Sequence, residues 1–394
     1  MNSFKKFLIA DFMIQFAGGL YFMATSWYIV DVTGNNTNVG IFYTLNAIFG
    51  ILASFLCSEI LDRFNKKKFL IAMNIFRIST IILPLIWLYL LEFNIYVIML
   101  LAVGNGIAWN TYFPATKAII PLIIGDKKLI DSNSQIEIVM QVGLFSSGAL
   151  SGVIYKYLSF NTILFISSIL FMMGVILLSR INLSKEKNIV RNESKNEESY
   201  VVYRYMRSNK KYIYLGIGLF TPFIVATCIN MTLPDYTISK LGADSIIYGF
   251  LDMAYGAGAC ISGIVIIALL KKVKRRTVVL INYFLLMFFG IAMFMVHNVW
   301  LSGLSMCIFG LLGAGNRIIL NTEAMESISD KIIGKIMMFW NSAALIVQLV
   351  ITSTLGYIMD KNGSNYGFLY YCGFVLLGLV FTGVYYKQKN KELA

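Results

Sequence analysis

Apolar runs about twenty residues long recur along the whole chain, and short turns between them collect the charged side chains. The runs cover residues 7–30, 39–61, 69–91, 95–113, 132–155, 162–181, 212–233, 246–270, 277–296, 299–320, 333–359 and 366–386. A helix crossing the hydrocarbon layer of a bilayer needs about 20 apolar residues. Each run therefore predicts one transmembrane helix, with tilt accommodating the longer ones. Twelve such helices use most of the 394 residues. Gly, Ser, Ala and Thr are frequent inside the runs. Small residues let helices approach closely in lipid, where no hydrophobic drive brings them together.

The basic residues are distributed unevenly over the turns. With the N-terminus inside, 28 of the 33 Lys and Arg fall on the inner side, and only Lys156, Lys240 and Lys361 on the outer. Arg77 and Arg317 fall within runs. By the positive-inside rule this asymmetry predicts both termini in the cytoplasm and a multi-pass protein of the cell (plasma) membrane. It also accounts for the net charge of +13, so no nucleic-acid partner is expected.

Hydrophobic residues make up 58% of the chain and charged residues 13%, with a mean hydropathy of +0.72. That balance excludes a disordered chain and argues against a soluble enzyme. The first run is too long for the core of a cleaved signal and reads as helix 1. The five cysteines all lie in runs and suggest no disulfide framework. There is no phosphate-binding loop, no Cys/His cluster and no Asp-rich diphosphate motif. Neither a cofactor, a metal nor enzymatic activity is expected. The abundant Ile, Lys and Asn point to a low-GC bacterial source.

One polar stretch interrupts the pattern. Residues 182–211 are rich in Lys, Glu, Asn and Ser and read as a cytoplasmic linker. They separate two six-helix halves, 1–181 and 212–394. Three pairs of segments match between the halves. The basic turn 61–68 has a counterpart in 270–276, Gly104-Asn105-Gly106 in Gly313-Ala314-Gly315, and 152–161 in 356–365. The predicted fold is an all-α membrane protein of twelve transmembrane helices in two six-helix pseudo-repeats, a plan that places substrate near mid-membrane between the repeats.

Three segments carry a family resemblance. The turn Ser58-Glu-Ile-Leu-Asp62-Arg63-Phe-Asn65-Lys66-Lys67-Lys68 is similar to the G-x-x-x-D-R-x-G-R-R/K signature of the major facilitator superfamily, with Ser58 and Asn65 in place of two glycines. Phe113-Pro114-Ala115-Thr-Lys117-Ala-Ile-Ile-Pro121 resembles the turn after helix 4 in its macrolide-efflux-like branch. Gly334-Lys335-Ile336 resembles a Gly-Arg-Val opening helix 11. The resemblance implies the major facilitator fold and a monomer. It also implies a conformational latch formed by Asp62, Arg63, Lys66 and Lys67, with Asp62 as acceptor. Helices 1, 4, 7 and 10 would line a central cavity. The chain departs from drug/proton antiporters at two points: Asn105 stands where helix 4 often carries an arginine, and Gly143 to Gly152 in helix 5 lacks the usual proline.

Ionisable groups inside membrane spans are costly and mark functional positions. Asp11, Glu137 and Asp252 are the candidates for proton coupling, because a carboxylate held away from water favours its protonated form. Arg77, near mid-membrane, is their candidate charge partner, whereas Glu59 and Glu323 are expected to be wet at helix ends. Helical spacing puts Asp11 and Gln15 on one face of helix 1, Asn105 and Trp109 on one face of helix 4, and Asp252 and Tyr255 close together on helix 8. Asn341 and Gln348 share a face of helix 11. Gln15, Asn105, Trp109, Tyr255, Asn341 and Gln348 are the candidates for an amphipathic, aromatic substrate cavity. Such a cavity suits a lipophilic small molecule exported against protons or another coupling ion. Export of an endogenous product, such as a peptide antibiotic or siderophore, is a second reading. A non-transporting sensor or accessory subunit is a third.

Overall fold

The computed structural model describes residues 3–63, 65–124, 129–181, 205–328 and 330–393. Some side chains within those ranges, among them 55–63 and 137, lie outside the description. Among the described residues, twelve helices are long and apolar enough to cross a bilayer. They are α1 (Ser3–Thr33), α2 (Asn36–Arg63), α3 (Lys66–Leu90), α4 (Ile95–Ile124), α5 (Leu129–Tyr157) and α6 (Phe160–Ser179), followed by α7 (Lys211–Asp235), α8 (Ser245–Leu270), α9 (Arg275–Met295), α10 (Val299–Ser327), α11 (Asp330–Asn362) and α12 (Tyr366–Leu393). The all-α reading and the number of spans therefore hold. Several helices run past the apolar runs that predicted them, because hydrogen-bonded turns continue after the hydrophobic stretch ends. Most of 182–211 lies outside the described residues.

Local chemistry sets several ends. Asn65 caps α3 by accepting from the Lys68 N–H at 3.1 Å, and Asn298 caps α10 by accepting from Trp300 and Leu301. Pro234 near the end of α7 lacks the N–H an α-turn needs. The chain continues beyond it as a π-helical turn, Tyr236–Lys240, with the Thr237 hydroxyl donating to the Leu233 carbonyl at 2.7 Å.

Two compact units emerge, Met1–Asn188 with Gly242–Met253, and Ile189–Leu241 with Ala254–Ala394. In the first, α1 packs on α5 and α6, α2 on α4, and α3 on α4 and α6. In the second, α7 packs on α11 and α12, and α9 on α10 and α12. There α8 meets α10 where Gly258 and Gly310 lie against the backbone of Cys307 and Tyr255. Each helix of the second unit thus repeats the partner choice of the helix six earlier. The head of α8, up to Met253, belongs to the first unit, so the boundary between units cuts through one helix.

The α5–α6 and α11–α12 turns display the same repeat at one residue. Gly363 has φ +107° and Ser159, its counterpart in the aligned segments, has φ +129°. Glycine adopts that region freely, whereas serine is strained there by about 1–3 kcal/mol. The Ser159 hydroxyl also caps α6, accepting weakly from Thr162 N–H at 3.4 Å, and replacing such a cap by Gly costs only a few tenths of a kcal/mol. Relief of strain outweighs the lost cap. Ser159→Gly is expected to raise the melting temperature in detergent by a few degrees, and a fall would show that the cap dominates.

Candidate functional site

The first unit holds a polar junction deep in its bundle. Arg77, 1% exposed, extends from α3. Its Nε donates to the Tyr21 hydroxyl of α1 at 3.2 Å, and its guanidinium donates to Asn105 Oδ1 of α4. Tyr21 donates to the same Asn105 oxygen at 3.0 Å. The guanidinium carbon lies 4.9 Å from the Phe171 ring centre of α6, a cation–π contact. Gly18 of α1 lies beside the guanidinium, at a distance where a Cβ would make ordinary van der Waals contact, 3.4 Å. Arg77, expected as charge partner of a carboxylate, spends its described hydrogen bonds on two neutral oxygens. Asn105 accepts from both, so its oxygen is committed inside this bundle.

Asp11 lies closer to the N-terminal end of α1, also 1% exposed, and its Oδ1 accepts from the Tyr112 hydroxyl of α4 at 2.9 Å. Gln15, one turn on, is buried against Gly143 of α5, and its side-chain oxygen has no hydrogen-bond partner among the described residues. Asp11 and Gln15, one turn apart on α1, thus meet α4 and α5 respectively.

Asp252 is a second buried carboxylate among the described residues of this unit, 6% exposed on α8. Its Oδ2 lies directly against Gly148 of α5, where any Cβ would collide with it. Gly249 lies against the carbonyls of Gly148 and Ala149, at 2.7 and 3.1 Å from the place its Cβ would occupy. The Ser245 hydroxyl donates to the Gly152 carbonyl at 2.8 Å. Three glycines thus bring α8 onto α5 backbone to backbone, the small-residue packing expected in lipid. Aromatic neighbours close the region. Tyr248 packs on Trp27 at 5.3 Å and donates to Met23 Sδ, and Tyr43 hydrogen-bonds Ser26. Among the described residues Asp252 forms no hydrogen bond or ion pair.

At the start of α8, Asp244 accepts from the Ile246 and Ile247 N–H groups and pairs with Lys156. The Lys156 ammonium, with the two N–H groups, holds the Asp244 carboxyl below the usual carboxylate range. A lowered carboxyl stabilises the fold above its unfolded-state value, and the contribution is lost as pH falls through the folded value. Asp244→Asn is therefore expected to flatten the acid limb of the stability–pH profile below about pH 4. Both side chains are 42% exposed, so the effect at neutral pH is small.

The second unit carries an ionic cluster that the sequence reading did not anticipate. Glu323 of α10 was expected to be wet, yet it is 3% exposed. Lys389 of α12 pairs with its Oε2 at 2.5 Å, Tyr385 donates to the same oxygen at 3.2 Å, and Arg275 of α9 lies 3.7 Å from Oε1. Arg275 also binds Glu326 through two nitrogens, at 2.5 and 3.0 Å. The pattern is visible in the spacing once the helices are known to meet. Glu323 and Glu326 are three apart on α10, and Tyr385 and Lys389 four apart on α12. Glu323→Gln is expected to destabilise by about 2 kcal/mol, less than the ~3–5 of a fully buried pair because both cations are partly wet. Thermal unfolding of the purified variant measures it.

The remaining candidates are dispersed. Trp109 and Tyr255 are half-buried and Asn341 is exposed. Gln348 is buried, and its oxygen has no hydrogen-bond partner among the described residues. Of the turn between α2 and α3, Lys66 and Lys67 are described, whereas the side chains of Asp62 and Arg63 are not. Lys67 donates to the Ser179 and Ile181 carbonyls at 2.6 and 2.8 Å. It thereby satisfies the open end of α6, a favourable place for a cation. The Glu137 side chain also lies outside the description.

The profile of the Major Facilitator Superfamily matches residues 7–352 and 225–393, two overlapping stretches that together span nearly the whole chain. The chain belongs to the Major Facilitator Superfamily. It is thus a multi-pass membrane protein of a transporter family. No curated protein gives a significant match. Among solved structures, the nucleoside transporter NupG superposes with a TM-score of 0.76 at 14% identity, covering 98% of this chain and 100% of that one. A bacterial homologue of the human lysosomal transporter Spinster, inward-facing and unoccupied, gives 0.71 at 12% identity and covers 97% of each chain. A bacterial metal transporter gives 0.72 at 12% identity and covers 98% of each. These likenesses establish the shared fold. For this superfamily member the buried carboxylates, the buried arginine and the glycine-lined α5–α8 contact are therefore features of a transporter scaffold.

Proposed function

We propose that this protein is a proton-coupled exporter of hydrophobic or amphipathic small molecules that works by alternating access. The observation that carries the proposal is Asp252, a carboxylate buried within an apolar span and without a described hydrogen bond or ion pair. A charged carboxylate in that position is costly, and a protonated one is not. A group whose occupancy by a proton decides the cost of burial is suited to binding a proton in one state and releasing it in another. Asp11 is the second coupling carboxylate, with Tyr112 as its hydrogen-bond donor, and Glu137 the third. Arg77 sets the local potential. Asp62 and Arg63, with Lys66 and Lys67, form the latch on the cytoplasmic side of a bacterial plasma membrane, and the protein acts as a monomer with both termini inside.

Gln15, Trp109, Tyr255, Asn341 and Gln348 supply aromatic and uncharged polar surface, which favours a lipophilic cargo over a phosphorylated sugar or dicarboxylate. The test is a substrate panel on purified protein in liposomes with an imposed pH gradient. Macrolides, lipophilic cations and dyes form its core. Nucleosides and divalent metal ions join it because solved structures with this fold include transporters of both kinds. Movement of a lipophilic compound that collapses with a protonophore supports the proposal. Gradient-driven movement of a nucleoside or metal alone would replace the substrate class, and an endogenous product would then be sought among peptides and siderophores. No movement of any compound would favour a sensor or accessory role.

A further inference from the structure

We propose that the turn between α8 and α9 binds the headgroup of an anionic phospholipid. Five of the six residues from 271 to 276 are basic: Lys271, Lys272, Lys274, Arg275 and Arg276. One of the five is already used, since Arg275 pairs with Glu326 and lies beside Glu323. The two carboxylates of that cluster are matched by Arg275 and Lys389, so they leave nothing to neutralise the rest. Lys271, Lys272, Lys274 and Arg276 are exposed, and none of their side chains forms a hydrogen bond or ion pair among the described residues. Four cations on one tight turn without an ion partner among the described residues exceed what fixing topology requires.

The surface on either side has the shape of a phospholipid site. Immediately below the cations, α8 presents Ile264 and Ile267 at 76% and 60% exposure, and α9 presents Ile281 and Phe284 at 50% and 58%. Apolar side chains exposed in a membrane span face acyl chains, and cations at the end of the span meet the headgroup layer. The first turn of α9 adds to the attraction. Its N-cap is Lys274, whose side chain cannot accept a hydrogen bond, so the first N–H groups of a 21-residue helix have no side-chain cap. An anionic phosphate satisfies the cations and those N–H groups together, whereas a zwitterionic headgroup brings its own cation into a positive field.

The test uses the full chain in mixed micelles containing equal amounts of phosphatidylcholine and phosphatidylglycerol, with retained lipid counted by native mass spectrometry. Wild type is expected to retain phosphatidylglycerol in preference. The triple variant K271Q/K272Q/K274Q is expected to lose that preference by on the order of tenfold or more. The variant K271R/K272R/K274R, which keeps the charge, should retain it and shows that loss in the first variant is not misfolding. The triple variant K5Q/K387Q/K391Q removes the same charge from elsewhere and should retain it as well. Equal losses in the two glutamine variants would overturn the site in favour of diffuse attraction. Full displacement of the lipid by millimolar inorganic phosphate would overturn it in favour of a general anion site. Unchanged retention in K271Q/K272Q/K274Q would overturn it outright.

Discussion

Asp252→Asn is expected to leave the protein folded and abolish its gradient-driven accumulation of substrate. Asparagine matches the carboxylate in shape and carries no titratable proton. Replacing a buried carboxylate without a described partner by an amide removes a desolvation cost, so the melting temperature should stay level or rise. Function should not follow stability. With one proton exchanged per substrate, a pH difference of one unit can sustain a substrate ratio of about tenfold. In the variant that ratio should fall to one, while exchange of labelled for unlabelled substrate across liposomes continues, because exchange needs binding and not proton release. Gly148→Ala provides a second approach, since its Cβ would enter the space of Asp252 Oδ2. It should impair coupling without touching the carboxylate itself. Wild-type accumulation in Asp252→Asn would remove Asp252 from the mechanism and leave Asp11 and Glu137.

Arg77 offers the second large effect, and two substitutions separate its roles. Arg77→Ala deletes the side chain on which Tyr21, Asn105, Phe171 and Gly18 converge. A cavity of that size costs about 3–5 kcal/mol, and the orphaned Tyr21 and Asn105 groups add about 1–3. Against this, a charge at membrane depth is no longer held there, which returns about 2.5–3.5 kcal/mol. The cavity and the orphaned groups prevail, and the variant should be less stable by about 2–3 kcal/mol. Arg77→Met keeps most of the volume and drops the charge, so it should fold nearly as well as wild type. If Arg77 only fills space, Arg77→Met transports normally. The coupling role assigned to Arg77 requires that it does not. Denaturation in detergent beside transport in liposomes reads both.

Much of this was legible in the chain because lipid imposes a strong code. A bilayer demands long apolar helices, so twelve spans follow from one sequence. The repeat was legible in the matched segments, and the pairing of Ser159 with Gly363 in left-handed conformation shows that the alignment of 152–161 with 356–365 has structural meaning. Helix faces told which side chains point together, as with Asp11 and Gln15. They did not tell what lies opposite. Arg77 faces Tyr21 and Asn105, Asp252 faces a glycine of α5, and Glu323 is buried between α9 and α12. Each of these depends on a neighbour distant in sequence, and periodicity along one helix carries no information about it. Glu323 misleads for a further reason: distance from a helix end measures depth along the axis, and burial also depends on what packs around it.

Equilibrium accumulation in wild-type proteoliposomes across a series of imposed pH differences decides whether protons drive a lipophilic cargo. With proton coupling, the logarithm of the substrate ratio rises linearly with the pH difference, with a slope of at least one, and a protonophore flattens it. A substrate ratio indifferent to the pH difference, in protein that still exchanges substrate, would contradict that coupling.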